Sequence, residues 1–180
     1  MKKHLLLLPA ACGFLALLSF KGTPDLPNKL DPMTLKVLDT MHTVTIGWPV
    51  EKLEQKVPRV AQFIKFLKEN MEQHNWDKIL PVCDQGNYMA QKKIGIGDYQ
   101  YLYELFSMDS TISAGYVGKT KEILEAVKEL KVERYNYSNE DGYRSFTFFG
   151  TMYFVNGKKK EFTLDITLNK KALWLIGAVG

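Results

Sequence analysis

Cysteine is almost missing from this chain of 180 residues, with only Cys12 and Cys83 present. Cys12 falls in an N-terminal apolar stretch, so Cys83 stands alone in the remainder. That excludes an internal disulfide framework and any zinc site built on paired cysteines. Its neighbours Ile79, Leu80 and Val82 predict a buried, inert thiol. Histidine is equally scarce. His42 and His74, with Cys83, are the only imidazole and thiol groups beyond the N-terminal stretch, and none has ligand spacing to another. No metal and no cofactor is therefore expected. The G-x-S-x-G elbow that would turn a histidine into the base of a nucleophilic serine is also absent.

Runs of one charge are missing too. Lys158-Lys159-Lys160 is the only basic triplet, and it follows Asn156-Gly157, so it reads as a solvated hairpin tip. Nucleic-acid binding needs clustered Lys and Arg to neutralise phosphates, and is not expected. Two glycine motifs are incomplete. Gly115-Tyr116-Val117-Gly118-Lys119-Thr120 has Ser113 where a phosphate-binding loop needs glycine, and polar residues precede it instead of a buried strand. Gly95-Ile96-Gly97 lacks the third glycine of a dinucleotide fingerprint.

Long apolar runs occur once. Lys2 and Lys3 precede Leu5 to Phe20, 16 residues that are apolar or small except for Ser19. A basic start and a short apolar core have the form of a secretory signal, because the charge stays cytoplasmic while the apolar stretch enters the translocon. A stable spanning helix needs roughly 20 apolar residues. Residues 1–22 are thus expected to be a signal peptide and the protein to be exported: periplasmic, at the cell surface or secreted by a bacterium. Two alternatives stand beside ordinary cleavage. Leu8-Pro9-Ala10-Ala11-Cys12 resembles a lipobox with Cys12 as the lipidated residue, although Pro9 stands where leucine is usual. The stretch could also stay uncleaved as an anchor. Any membrane attachment is expected only through this segment. Without it, 158 residues with 21 basic and 20 acidic side chains remain, enough for one nearly neutral domain.

Residues 23–56, with Pro24, Pro27 and Pro32, read as a linker and N-terminal extension holding a short helix from Met33 to His42. From residue 57 the pattern strengthens. Val57, Val60, Phe63, Ile64, Leu67 and Met71 recur at the spacing of one helix face, with Pro58 in the first turn. Asn75 is a candidate N-cap for a brief helix with Trp76, Ile79 and Leu80. Asp98 is the candidate cap of another, with Tyr99, Leu102, Tyr103 and Phe106 as its apolar stripe. Ser107 to Gly118 reads as loop, and Lys121 to Leu130 as a fourth helix. The period then changes to two. Lys131–Tyr137, Tyr143–Val155, Glu161–Leu168 and Leu173–Val179 predict strands joined by tight turns at Asp141-Gly142, Asn156-Gly157 and Asn169-Lys170-Lys171. Phe162, Leu164, Ile166 and Leu168 alternate with Glu161, Thr163, Asp165 and Thr167. One face is thus buried and one wet. Phe148-Phe149-Gly150 breaks the alternation and predicts a bulge or bend. The expected fold is α+β, with N-terminal helices packed on a curved antiparallel sheet of four or more strands. Phe162, Leu164 and Ile166 are expected to meet Phe63, Ile64 and Leu67.

Over residues 57–180 this order of elements resembles the nuclear transport factor 2-like superfamily, the cone-shaped fold shared with ketosteroid isomerase. Asn75-Trp76-Asp77-Lys78-Ile79-Leu80 at a helix end and Lys171-Ala172-Leu173-Trp174-Leu175-Ile176-Gly177 as a closing strand carry the likeness. It implies an apolar cone open to a small apolar ligand or a partner protein. Tyr99, Tyr101, Tyr103, Phe106, Phe148 and Tyr153 are the candidate pocket or interface residues. Tyr101 is the one expected to face a partner, because it lies off the stripe of its helix. The same aromatics could instead fill the core. The sheet is a candidate homodimer surface. An enzymatic alternative, isomerase- or hydrolase-like, would embed a carboxylate in the cone; Asp165 with Tyr135, Tyr137 or Tyr153 is the available set. The polar neighbours of Asp165 on its strand point it to water, so no catalytic residue is assigned.

Overall fold

The computed structural model describes residues 27–41, 44–106, 120–140 and 142–179. The apolar N-terminal stretch with Cys12 and the Ser107–Gly118 segment lie outside them. Among the described residues no helix is long and apolar enough to cross a membrane.

Three tight turns fold the C-terminal half into a meander. Strands β2 (Val127–Glu140), β3 (Tyr143–Phe154), β4 (Lys159–Asn169) and β5 (Ala172–Val179) pair antiparallel in chain order. Gly142 and Gly157 both take φ of +80°, which a glycine adopts freely and a side chain resists. The third turn has no glycine. Lys170 and Lys171 adopt φ of +47° and +66° between the paired Asn169 and Ala172, at a cost of roughly 1–2 kcal/mol per residue. At the expected bend, Val132 pairs with Gly150 and Arg134 with Phe149, so Glu133 is the extra residue of a bulge in β2.

A fifth strand precedes these. β1 (Val44–Pro49) pairs antiparallel with the far half of β2. The sheet is therefore open, in the order β1-β2-β3-β4-β5. Gly47, at φ +63°, interrupts the pairing, and its N–H donates to Asn136 Oδ1 at 2.8 Å. Residues 27–56, read as linker and extension, also supply α1 (Pro32–Thr40), capped by Asp31, and α2 (Val50–Lys56). Leu30, Leu38 and Leu53 join the same core as the rest.

The long connection from β1 to β2 carries the remaining helices across one face of the sheet. α3 (Pro58–Glu72) buries Val60, Phe63, Ile64, Leu67 and Met71, as its spacing predicts. Next come α4 (Trp76–Ile79), a 3-10 turn (Leu80–Val82), α5 (Gln85–Lys93), α6 (Asp98–Leu105) and α7 (Thr120–Glu125). α2, α3 and α7 lie against β2, while α6 and the 3-10 turn lie against β5. Phe162, Leu164 and Ile166 enter the same core cluster as Phe63, Ile64 and Leu67, although α3 itself runs beside β2. Along β4 the alternation holds throughout: 162, 164, 166 and 168 are buried, and 163, 165 and 167 half-buried.

Three expected local details change. The helix expected over Lys121–Leu130 stops at Glu125. Val127 already pairs with Phe154, and Glu72 accepts the Leu130 N–H at 2.7 Å, so both residues belong to β2. Asn75 sits at the N-cap of α4, but its amide donates to Asn70 and Gln73 instead of capping. Gly97, not Asp98, is the N-cap of α6. Asp98 instead accepts from the Tyr88 hydroxyl at 2.7 Å and pairs with Lys92 at 3.2 Å, tying α6 to α5.

The free edge of β5 is covered. Asn28 O accepts from Leu173 N–H at 2.8 Å, and the Asn28 amide donates to Leu173 O at 2.9 Å. Leu30 N–H donates to Lys171 O, and Asp84 N–H to Leu175 O. Covering an edge in this way removes a template for pairing with another chain. The opposite edge, β1, is short and carries a bulge and Pro49.

Candidate functional site

The six aromatic candidates do not converge. Phe148 stacks between Tyr135 and Phe146, with centroids 6.0 and 5.9 Å away, and is fully buried. Phe106 packs on Trp76 at 6.1 Å. Tyr103 is half-buried against the core. Tyr153 lies half-buried on the opposite face of β3, beyond the sheet from the helices. Offset and tilted rings at such distances add to a core beyond their buried area.

Tyr101 and Tyr99 exchange the positions expected of them. Tyr101 is 5% exposed, with its ring 5.0 Å from Tyr88, whereas Tyr99 is 36% exposed under the Lys121 ammonium. Leu102 and Phe106 keep their buried places on the stripe of α6, but α5, not foreseen, covers the Tyr101 side. Its burial pushes the Tyr101 phenol well above the ordinary tyrosine range. The partner-facing role for Tyr101 is thereby corrected.

Among the described residues Asp165 pairs with none of its three candidate tyrosines; Tyr153 shares its face but stands opposite Lys159, six residues along β4 from Asp165. Asp165 Oδ1 accepts from the Thr147 hydroxyl at 2.7 Å on the outer face of the sheet, while Tyr135 and Tyr137 are buried on the inner face. The Tyr137 hydroxyl donates to Leu38 O at 3.0 Å; the Tyr135 hydroxyl is buried with no hydrogen-bond partner among the described residues. Burial raises both phenols, so neither ionises near neutral pH. The contrast is testable. Tyr135→Phe removes a desolvated hydroxyl that gains nothing from the fold and should raise stability by about 1 kcal/mol, while Tyr137→Phe should lower it by about 1–2 kcal/mol. Denaturant midpoints of the two variants measure the difference. A loss on Tyr135→Phe as large as that on Tyr137→Phe would show that the Tyr135 hydroxyl has a partner.

Cys83 is buried, and its Sγ donates to Ile79 O at 3.4 Å. Desolvation, then the nearby Asp84 carboxylate, pushes the thiol up to about 12, leaving it protonated and unreactive at neutral pH. His74, at φ +58°, lies within 2.7 Å of Val127 O through Nε2; accepting that contact as a hydrogen bond makes Nε2 the donor. Among the described residues no three His, Cys, Asp or Glu side chains are grouped as metal ligands.

A cavity of about 390 Å³ lies elsewhere, between α2, α3 and the first half of β2. Val50 and Leu53 from α2, Pro58, Ala61 and Ile64 from α3, and Leu130 and Val132 from β2 give it apolar walls. Its size falls within the roughly 300–1,000 Å³ of small-molecule sites. Around the rim stand Glu51 and Glu54, Lys65 and Lys68, and Glu129 and Lys131. The site is assembled by the long β1–β2 connection, which lays α2 and α3 beside a strand that follows them far along the chain. None of the six aromatic candidates lines it. The signal available beforehand was the β-branched run Val44-Thr45-Ile46, which marks a strand. A strand there would have drawn α2 onto the sheet.

No family model, curated protein or solved structure was found to match this chain.

Proposed function

We propose that this chain is an exported, non-catalytic domain that binds a small apolar ligand in the groove between α2, α3 and β2. The observation that carries the reading is the groove itself, a cavity with aliphatic walls opening at a charged rim. The groove has the make-up of ligand sites generally, an apolar lining with few polar groups. The catalytic alternative has little to stand on, since Asp165 is engaged by Thr147 and separated from the buried tyrosines by the sheet. A nuclear transport factor 2-like organisation is part of the same proposal. Helices laid on one face of a bulged antiparallel meander support it.

N-phenylnaphthylamine, an uncharged apolar fluorophore, tests the binding reading. Its emission should rise with the wild-type protein and stay low with Ala61→Phe, which places a ring in the groove. Equal enhancement by both proteins would remove the groove from consideration. The proposal of export rests on Lys2, Lys3 and the apolar residues after them. It expects the secreted form to begin between residues 12 and 23. N-terminal sequencing that finds Met1 intact would overturn it.

A further inference from the structure

We infer that the ligand of this groove carries a positive charge: a small molecule with an apolar body and a primary ammonium group. The inference rests on the groove being a ligand site, and adds the sign of the charge it selects.

The rim has lysines and glutamates in equal number, but they are not equally free. Each lysine is committed to a glutamate that does not line the groove. Lys65 pairs with Glu69 at 3.8 Å and Lys68 with Glu72, each one helical turn along α3, while Lys131 pairs with Glu133 at 2.9 Å. Glu72 is fixed further by the Leu130 N–H. Helix α2 sorts its own charges. Lys52 and Lys56 lie over the Trp48 ring, at 5.2 and 3.8 Å from its centroid, away from the groove. Glu51 and Glu54, three residues apart and so on one face, line the groove instead. None of the described ion pairs uses Glu51 or Glu54. Glu129, opposite Tyr153 on the outer face of the sheet, lies in the field of the Lys131 ammonium. The groove therefore presents two carboxylates outside every described ion pair above aliphatic walls.

An apolar molecule ending in a carboxylate would bring a third negative charge to this rim. A neutral one would leave the carboxylates as they are in the free protein. An alkylammonium places its chain on the walls and its cation beside the two glutamates of α2, and its amine is protonated at neutral pH as a lysine is. Both carboxylates are exposed, so each contributes as a surface pair does, about 0.2–1 kcal/mol. Together they give the ammonium an advantage of about tenfold over a neutral analogue.

Calorimetric titration with octylammonium, octanol and octanoate, which share one chain, separates the two layers of the argument. Expected is octylammonium binding about tenfold tighter than octanol, with octanoate weakest and the preference shrinking as salt is raised. In the double variant Glu51→Gln, Glu54→Gln, octylammonium should fall to the affinity of octanol while octanol binds unchanged. Ala61→Phe should weaken all three, and Gln62→Trp, at an exposed position on the rim, should do the same without loading the core. If octanoate or octanol binds as tightly as octylammonium and the blocking variants still weaken them, the groove stands and the charge inference is overturned. If neither blocking variant changes any titration, or nothing binds, the groove reading falls and this inference with it.

Discussion

Replacing Gly150 with alanine is expected to be the most damaging single-methyl change in the sheet, costing at least about 3 kcal/mol. The reason is space. A Cβ at this position would sit 2.1 Å from Lys131 O and 2.9 Å from Lys131 C, and both atoms are backbone of the bulged β2. A side chain can swing away from a new methyl; a strand paired on both sides of the contact cannot. The bulge that admits Glu133 brings β2 across β3 at Gly150, so the variant must either open the pairing there or move the bulge. Gly177→Ala on β5 is the control. A Cβ there would meet nothing within 4 Å, and the change should stay within about 0.5 kcal/mol. Equilibrium urea unfolding of the two variants decides the matter. Equal midpoints would mean that the two strands do not cross this closely.

Leu164→Ala should cost about 2–5 kcal/mol, through lost transfer of the side chain from water and the cavity left behind. Leu164 is 1% exposed and sits in register with Phe148, in the middle of the sheet. Thr163→Ala, one residue away, deletes a half-buried side chain from the outer face and should cost less than about 1 kcal/mol. If Thr163→Ala proves the more damaging, the register of β4 is inverted. Asp165 would then look inward, and a catalytic reading would regain its footing.

Where one residue pattern dictates one burial pattern, the sequence was readable. β4 alternates without interruption, α3 repeats every three and four residues for four turns, and the glycine turns admit one kind of connection. Phe148-Phe149-Gly150 marked the place of the bulge, although the extra residue, Glu133, lies in the partner strand β2 and not in β3. Other parts depend on partners that no local pattern names. α5 buries only Tyr88, so it has too narrow a stripe to be seen, and without it Tyr101 looks like a surface residue. Val127 and Leu130 fit a helix face as well as a strand. Pairing with β3 and the Glu72 carboxylate decides for the strand. β1 is brief, broken by Gly47 and ended by Pro49, and its partner lies beyond every helix. The candidate site was invisible for the same reason. Glu51 and Glu54 come to stand over Leu130 and Val132 of β2 only after the crossover is folded, and the commitment of each lysine elsewhere is a fact of geometry.

Residues 28–30 also set how the domain answers a mechanical load. They run antiparallel to β5, with Lys29 opposite Ala172, so the chain entering at residue 27 and the chain leaving β5 lie at the same end of this small ladder. Tension between the two termini would then unzip the bonds in sequence, the Asn28–Leu173 pair first and the Leu30–Lys171 bond after it, instead of shearing them together. In a pulling experiment the strap should detach at low force, ahead of the sheet, and detachment would uncover the backbone of Lys171 and of the first residues of β5, Ala172 and Leu173. A domain held to a surface by its N-terminus would thus expose an adhesive strand edge under strain and hide it again at rest.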